Sequence, residues 1–158
     1  MSTLTRIGRL IFRRGEGQSL VEFAVCLPPM LILTTGIFAF GIAVANDVML
    51  TNATSAAALQ LAIARGNTLD PCALASSTVY SAAPSLKQSN FTFTYSLNGV
   101  AYSGTTCSSA STSTGAPGNL QQGKSAAITV TYPCNLTIYK ANNFPSCLLT
   151  AKTTELVQ

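Results

Sequence analysis

The sequence contains no histidine and no tryptophan, and only 9% of its 158 residues are charged. Without histidine, no Ser/His or Cys/His pair can activate a nucleophile. A structural zinc site needs histidines or closely spaced cysteine pairs such as CxxC, and the chain has neither. The segment Gly115-Ala-Pro-Gly118 lacks the Lys-Ser/Thr ending of a phosphate-binding loop. We therefore expect no enzymatic activity, no catalytic residue, no metal and no cofactor.

The positive charge is concentrated at the N-terminus. Four of the nine basic residues precede Gly17, which leaves five, and only Glu16 of the five acidic residues precedes it, which leaves four. The chain after Gly17 is therefore nearly neutral and lacks the basic patch of a nucleic-acid-binding protein. We expect no nucleic acid among its partners. The four early basic residues are Arg6, Arg9, Arg13 and Arg14.

A long apolar run follows these arginines. Residues 23–45 carry no formal charge, and about 20 apolar residues suffice for a helix to cross a hydrocarbon core about 30 Å thick. Asp47 comes next, and the first basic residue after the run is Arg65. Because Lys and Arg are enriched on the cytoplasmic side of membrane segments, the sequence predicts a single membrane pass over about residues 20–46. The N-terminus should be cytoplasmic, and the chain beyond Asp47 should lie outside.

Glu22 is the one charged residue at the start of this run. A carboxylate inside a membrane segment costs a few kcal/mol and is usually retained for a partner, although solvation at the headgroup level would also accommodate it. Its context, Gly17-Gln-Ser-Leu-Val-Glu-Phe23, resembles the processing site of type IV prepilins. The resemblance implies that a prepilin peptidase cuts between Gly17 and Gln18 and removes residues 1–17 as a leader. Phe23 stands where related sites often carry Tyr.

Cleavage there would create a new α-amino group on Gln18, which is mostly protonated at neutral pH. Glu22 could then pair with the amine of a neighbouring subunit as their helices pack. Because an unpaired buried charge is strongly unfavourable, this pairing would specify the register between subunits.

The resemblance narrows to the TadE-like pseudopilins of the tight-adherence (Flp) pilus system and extends over about residues 13–66. It rests on GQSLVEFAVCLP at 17–28, on GIFAFGIAV at 36–44 and on the Ala/Asn/Thr-rich continuation. It implies a minor pseudopilin of a type IVb-like pilus, made as a bacterial inner-membrane precursor and assembled through its N-terminal helix. The implied partners are a prepilin peptidase, the inner-membrane assembly platform, other pilin subunits and, before extraction, membrane lipid. The implied locations are the inner membrane, the periplasm and the extracellular pilus.

Three alternatives stay open at the level of sequence. The chain could be the main polymerising subunit of the filament, or a single-pass anchored module whose outer domain binds a surface or glycan. The third is an ordinary signal peptide, because Ala43-Val44-Ala45 offers an A-x-A cleavage site. The apolar run is longer than the usual signal core, which argues against this reading.

The predicted fold class is α+β: a long N-terminal transmembrane helix with a small antiparallel β-sheet outer domain, stapled by disulfides in the lollipop arrangement of pilins. The helix should occupy residues 18–66, with a bend near Leu27 because Pro28 and Pro29 remove backbone donors. Arg65 and Gly66 should supply a basic last turn and a C-cap. The alanine-rich second half of the helix offers small apolar residues for a sheet to pack on.

The outer domain should comprise residues 67–158. Asp70 followed by Pro71 predicts the N-cap and first position of a short helix ending near Ala83. Apolar and polar residues then alternate with the period of a strand, and Asn98-Gly99 predicts a tight hairpin. The Ser/Thr/Gly-rich segment 104–124 is typical of a mobile surface loop. The strands should be residues 91–97, 100–103, 125–132 and 148–157.

Five cysteines divide by position. Cys26 lies within the apolar run and is expected to be a small buried hydrophobe. The other four fall on the predicted outer side, where disulfides form, and four cysteines permit three connectivities. We favour the sequential pairing, with Cys134 to Cys147 closing an excursion that stabilises by about 3 kcal/mol in the chain-entropy model. The four are Cys72, Cys107, Cys134 and Cys147.

Overall fold

The computed structural model describes residues 16–107, 115–134, 137–138, 141–142 and 147–158. The predicted leader, apart from its last two residues, lies outside these ranges. The chain divides into two compact units, whose boundary lies between Ala39 and Phe40.

The elements within the described residues are two α-helices, two short 3₁₀ turns and six strands. The helices are α1 (Glu16–Ile63) and α2 (Pro71–Ala82), and the 3₁₀ turns are Gln88–Asn90 and Pro117–Asn119. The strands are β1 (Thr92–Leu97), β2 (Val100–Ser103), β3 (Ser125–Pro133), β4 (Thr137–Ile138), β5 (Ala141–Asn142) and β6 (Leu148–Leu156).

Helix α1 has 48 residues and confirms the predicted long N-terminal helix. It ends at Ile63, three residues before the predicted end at residue 66, so the prediction of a basic last turn was wrong, and Arg65 lies in the following turn. The reason is a tightening of the backbone, because the N–H of Ala64 donates to Leu61 O at 3.3 Å, three residues back. Gly66 then adopts φ +75°, a left-handed conformation that favours glycine.

The main sheet has the strand order β2-β1-β3-β6, and every neighbouring pair is antiparallel. Strand β6 therefore lies at an edge, paired with β3 over its whole length. Strands β4 and β5 form a separate two-stranded pair. The hairpin between β1 and β2 turns at Asn98 (φ 51°) and Gly99 (φ 82°), two positive-φ positions that Asn-Gly tolerates.

The core of the second unit lies between the inner face of this sheet and the two helices. Alternate residues of β3 are buried while those between them are half-buried, which matches the predicted period of two. On α1, the small residues Ala53, Ala57 and Ala58 are fully buried. The largest fully buried side chains on the strands are Tyr95, Phe93, Leu97, Ile128 and Val130.

The segment predicted to be a surface loop is partly core. Residues 108–114 lie outside the described part, but Ala116 and Leu120 belong to the hydrophobic core. Between them, Asn119 donates from Nδ2 to the Tyr102 hydroxyl oxygen at 2.7 Å. The surface-loop prediction is therefore wrong for residues 115–120, because Ala116 and Leu120 fill space beside the sheet.

Two disulfides link the outer domain. Cys72 pairs with Cys107 (Cα–Cα 5.3 Å) and Cys134 pairs with Cys147 (Cα–Cα 5.5 Å), the sequential pattern that we favoured. The second pair extends the β3–β6 ladder, because Cys134 N–H donates to Cys147 O at 3.1 Å. With the long helix and the four-stranded antiparallel sheet, these disulfides confirm the predicted α+β fold class.

Candidate functional site

The N-terminal part of α1 exposes apolar side chains on every side. Exposed fractions include 65% for Phe23, 67% for Leu33 and 73% for Phe38. An exposed apolar surface of this extent marks a membrane or protein contact. The helix is also long and apolar enough to cross a membrane. Together with the comparison below, this indicates membrane anchoring through α1.

Glu22 is the only charged residue from Ser19 to Asn46, and its side chain is exposed on this surface. The predicted cleavage point, Gly17 to Gln18, lies in the first turn of α1, which begins at Glu16. The N–H groups of a first turn have no intrahelical acceptor. Opening this turn to a peptidase therefore breaks fewer hydrogen bonds than opening the helix interior.

Pro28 and Pro29 both lie inside α1, and the helix is continuous through them. Because proline has no N–H, the carbonyls four residues earlier, those of Ala24 and Val25, receive no helical hydrogen bond. The structure thus shows no interruption at the prolines, and the bend near Leu27 stays a prediction.

The two threonines beyond the prolines satisfy their hydroxyls within the helix. Thr34 donates from Oγ1 to Met30 O at 2.9 Å, and Thr35 donates to Leu31 O at 2.8 Å. Neither hydroxyl therefore needs water, which suits an apolar surrounding.

Cys26 is a free cysteine and is exposed in the single chain. The expectation that it is buried is therefore wrong for the isolated chain. The exposed thiol is available for burial by lipid or by another helix.

A second group of chemistry-bearing residues lies in the outer domain, where Asp70, Cys72 and Cys107 come together. Asp70 Oδ1 accepts hydrogen bonds from Ala73 N–H at 2.9 Å, which is the predicted N-cap, and from Cys107 N–H at 3.0 Å. The three ligand-type atoms lie within 4.8 Å of one another. Because the two sulfurs are bonded to each other, the group holds no thiolate for a metal.

Sequence reasoning found Asp70 as a helix cap but missed its bond to Cys107, because that bond joins residues 37 positions apart. Tyr95 was likewise assigned only to a strand. Its hydroxyl donates to Cys72 O at 3.2 Å. Burial, followed by the charges of Tyr80 and Asp70, raises the pKa of the Tyr95 hydroxyl well above its ordinary value.

A groove of about 270 Å³ lies where α1 meets the start of α2, beside Ile63, Asn67 and Leu74. It is open and lined by short polar and aliphatic side chains, with no titratable group among them. Nothing in its lining assigns it a ligand.

Comparison with known proteins identifies a family for the N-terminal part of the chain. The family model described as TadE-like protein matches residues 17–59. No curated protein and no solved structure matches the chain. The matched range begins at Gly17 and contains Glu22, both prolines and the exposed apolar residues of α1 from Leu20 to Leu59. Residues 17–59 are therefore similar to the TadE-like family, which confirms the resemblance seen in the N-terminal motif.

Proposed function

We propose that this chain is a minor pseudopilin of a tight-adherence, type IVb-like pilus. It is made as an inner-membrane precursor with a cytoplasmic N-terminus, is cut between Gly17 and Gln18 by a prepilin peptidase, and is assembled through α1. The observation that carries the proposal is the exposed apolar run of α1 with one carboxylate at its start, Glu22, five residues after Gly17, all within the TadE-like range.

The apolar surface of α1 can be buried in two environments, one after the other. Lipid covers it before assembly, and the helices of other pilin subunits cover it afterwards. Burial of apolar surface is favourable in either case, at about 25 cal/mol per Å² removed from water. Transfer from lipid into a helix bundle therefore gains little from hydrophobicity alone, and polar contacts must help to drive it.

Glu22 supplies such a contact in this proposal. Its carboxylate pairs with the α-ammonium group on Gln18 of a neighbouring subunit, and the adjacent Phe23 packs between helices. The carbonyls of Ala24 and Val25, which Pro28 and Pro29 deprive of helical donors, allow the helix to adapt between bilayer and bundle. The outer domain faces away from the membrane, where its disulfides form. The proposal includes no catalytic activity, no cofactor and no nucleic-acid partner.

The test is the abundance of the chain in sheared pili relative to its abundance in membranes, measured by quantitative mass spectrometry. A minor subunit is present in the sheared fraction at a small fraction of the dominant pilin. A chain that dominates the sheared fraction is the main polymerising subunit instead. A chain found only in membranes, at equal levels with and without the assembly platform, is an anchored binding module, and the proposal is then wrong.

A further inference from the structure

Asp70, Cys72 and Cys107 form a centre in which the two cysteines differ in exposure. The proposed function does not account for this difference. Cys72 is fully buried, at 0% exposure, whereas Cys107 is only partly buried, at the margin of the core. In the oxidised chain, solvent therefore reaches Cys107 and not Cys72. Susceptibility of a thiol to exchange follows its exposure and its thiolate character.

A backbone donor at a helix N-terminus also lies beside the sulfur of the same cysteine. The N–H of Cys72, in the first turn of α2, donates to the sulfur of Cys107 at 3.2 Å. An N–H donor at a helix N-terminus stabilises a negative charge on sulfur. The Asp70 carboxylate has the same sign of charge as a thiolate, and its Oδ1 lies 3.5 Å from Cys107 Sγ. This oxygen already accepts two backbone N–H bonds.

The segment that carries Cys107 is fixed by bonds that do not involve sulfur. Asp70 Oδ1 accepts from Cys107 N–H at 3.0 Å, and the Ser76 hydroxyl of α2 donates to Thr105 O at 3.1 Å. Both bonds are available before the sulfurs are joined. They hold the backbone of Cys107 beside the first turn of α2, where Cys72 is the nearest partner.

We propose that this centre directs oxidation of the outer domain: Cys107 is the entry thiol, Cys72 is the resolving thiol, and Asp70 is the positioning residue that selects this pairing among the three possible. The oxidant is a small-molecule disulfide. The Cys107 thiolate attacks it, forms a mixed disulfide and releases one thiolate. Cys72 then loses its proton to solvent and attacks the sulfur of Cys107, which releases the second thiolate and completes the Cys72–Cys107 bond.

The first experiment assigns the entry thiol. The full chain is reduced in detergent, exposed briefly to glutathione disulfide, quenched with an alkylating reagent and mapped by peptide mass spectrometry. We expect glutathione on Cys107 at least about tenfold faster than on Cys72, given their difference in exposure. The variant Cys72→Ser should accumulate the Cys107 mixed disulfide, whereas Cys107→Ser should leave Cys72 unmodified. Equal modification of the two cysteines in the unmutated reduced chain would overturn the assignment.

The second experiment tests Asp70 with three substitutions. Asp70→Asn keeps an acceptor oxygen in the same place and should oxidise at least as fast as the unmutated chain, because it also removes the negative charge 3.5 Å from Cys107 Sγ. Asp70→Ser keeps a helix cap, but its oxygen is one bond shorter and does not reach Cys107 N–H. We expect it to retain the helix while forming the Cys72–Cys107 bond about fivefold more slowly, the effect of one lost hydrogen bond. Asp70→Ala should lose both.

The readouts are the fraction of Cys72–Cys107 among all disulfides over time and, separately, the thermal stability of the fully oxidised chain. Formation of the Cys134–Cys147 bond in the same samples is the matched control and should not change. An Asp70→Ala chain that pairs Cys72 with Cys107 at the normal rate and yield would overturn the positioning role. These outcomes do not depend on whether the chain enters a pilus.

Discussion

At the scale of single residues, Glu22 is the most consequential side chain because the proposed assembly pairs it with the α-ammonium group of another subunit. We predict that Glu22→Gln lowers the amount of the chain in sheared pili at least about tenfold, since it leaves a buried ammonium group uncompensated, at a cost of about 3–5 kcal/mol. Asp47→Asn is the matched control, because it removes the next carboxylate along the same helix.

The measurement is the ratio of chain in sheared pili to chain in membranes for the two variants. Equal incorporation of Glu22→Gln and the unmutated chain would contradict the pairing. Membrane levels of both variants should stay normal, because removing a carboxylate does not hinder insertion of the apolar run.

Tyr95 is predicted to make the outer domain less stable at alkaline pH. The folded-state pKa of its hydroxyl is raised by burial above the ordinary value of 10.0. Its stabilisation is therefore fully present below pH 10 and is lost as pH rises from there towards the folded-state pKa. The hydroxyl also donates to Cys72 O, so Tyr95→Phe should cost about 1 kcal/mol at neutral pH.

The free energy of unfolding of the detergent-solubilised chain should be measured at pH 8 and at pH 10.5 for both proteins. The loss of stability between these pH values should be smaller in Tyr95→Phe. If both proteins lose the same amount, Tyr95 does not carry the alkaline sensitivity.

At the scale of elements, different parts of α1 are expected to lie in different environments. Leu31 is 47% exposed and Leu59 is 56% exposed, yet only Leu31 lies within the predicted membrane segment. Lysine near the centre of a membrane helix costs about 2.5–3.5 kcal/mol. Leu31→Lys should therefore reduce the carbonate-resistant membrane fraction several-fold, whereas Leu59→Lys should leave it unchanged. Equal behaviour of the two variants would refute the placement of the membrane segment.

Local chemistry made several elements predictable from sequence. The Asn98-Gly99 turn, the Asp70-Pro71 helix start and the alternation of β3 are each encoded by residues within a few positions of one another. Helix α1 was predictable because its apolar run is long. The run is interrupted only by prolines and glycines, which membrane helices tolerate.

Features that depend on distant contacts were not predictable. Ala116 and Leu120 come from a segment with the composition of a loop, and only the position of the sheet buries them. The second hydrogen bond of Asp70 and the alkaline behaviour of Tyr95 likewise arise from residues brought together by the fold. The early end of α1, before Arg65, reflects a single tightened turn rather than a composition signal.

At the scale of the whole molecule, the two disulfides should contribute unequally. The Cys72–Cys107 bond spans 35 residues and the Cys134–Cys147 bond spans 13. In the chain-entropy model these loops correspond to about 3.8 and about 3.0 kcal/mol. Because Cys72 also lies in the core, Cys72→Ser/Cys107→Ser should lower the free energy of unfolding more than Cys134→Ser/Cys147→Ser. Chemical denaturation of the oxidised proteins measures both values, and the reverse order would be inconsistent with this structure.

The N-terminus of the membrane-extracted chain, determined by intact mass and N-terminal sequencing with and without a prepilin peptidase, bears on the proposed function most directly. We predict a chain that begins at Gln18 only when the peptidase is present, and that Gly17→Val blocks the cut. A chain that begins at Met1 in the presence of the peptidase would contradict the pseudopilin assignment and favour an anchored module. A chain that begins at Asn46 would contradict it as well, because α1 would then contain an ordinary signal peptide.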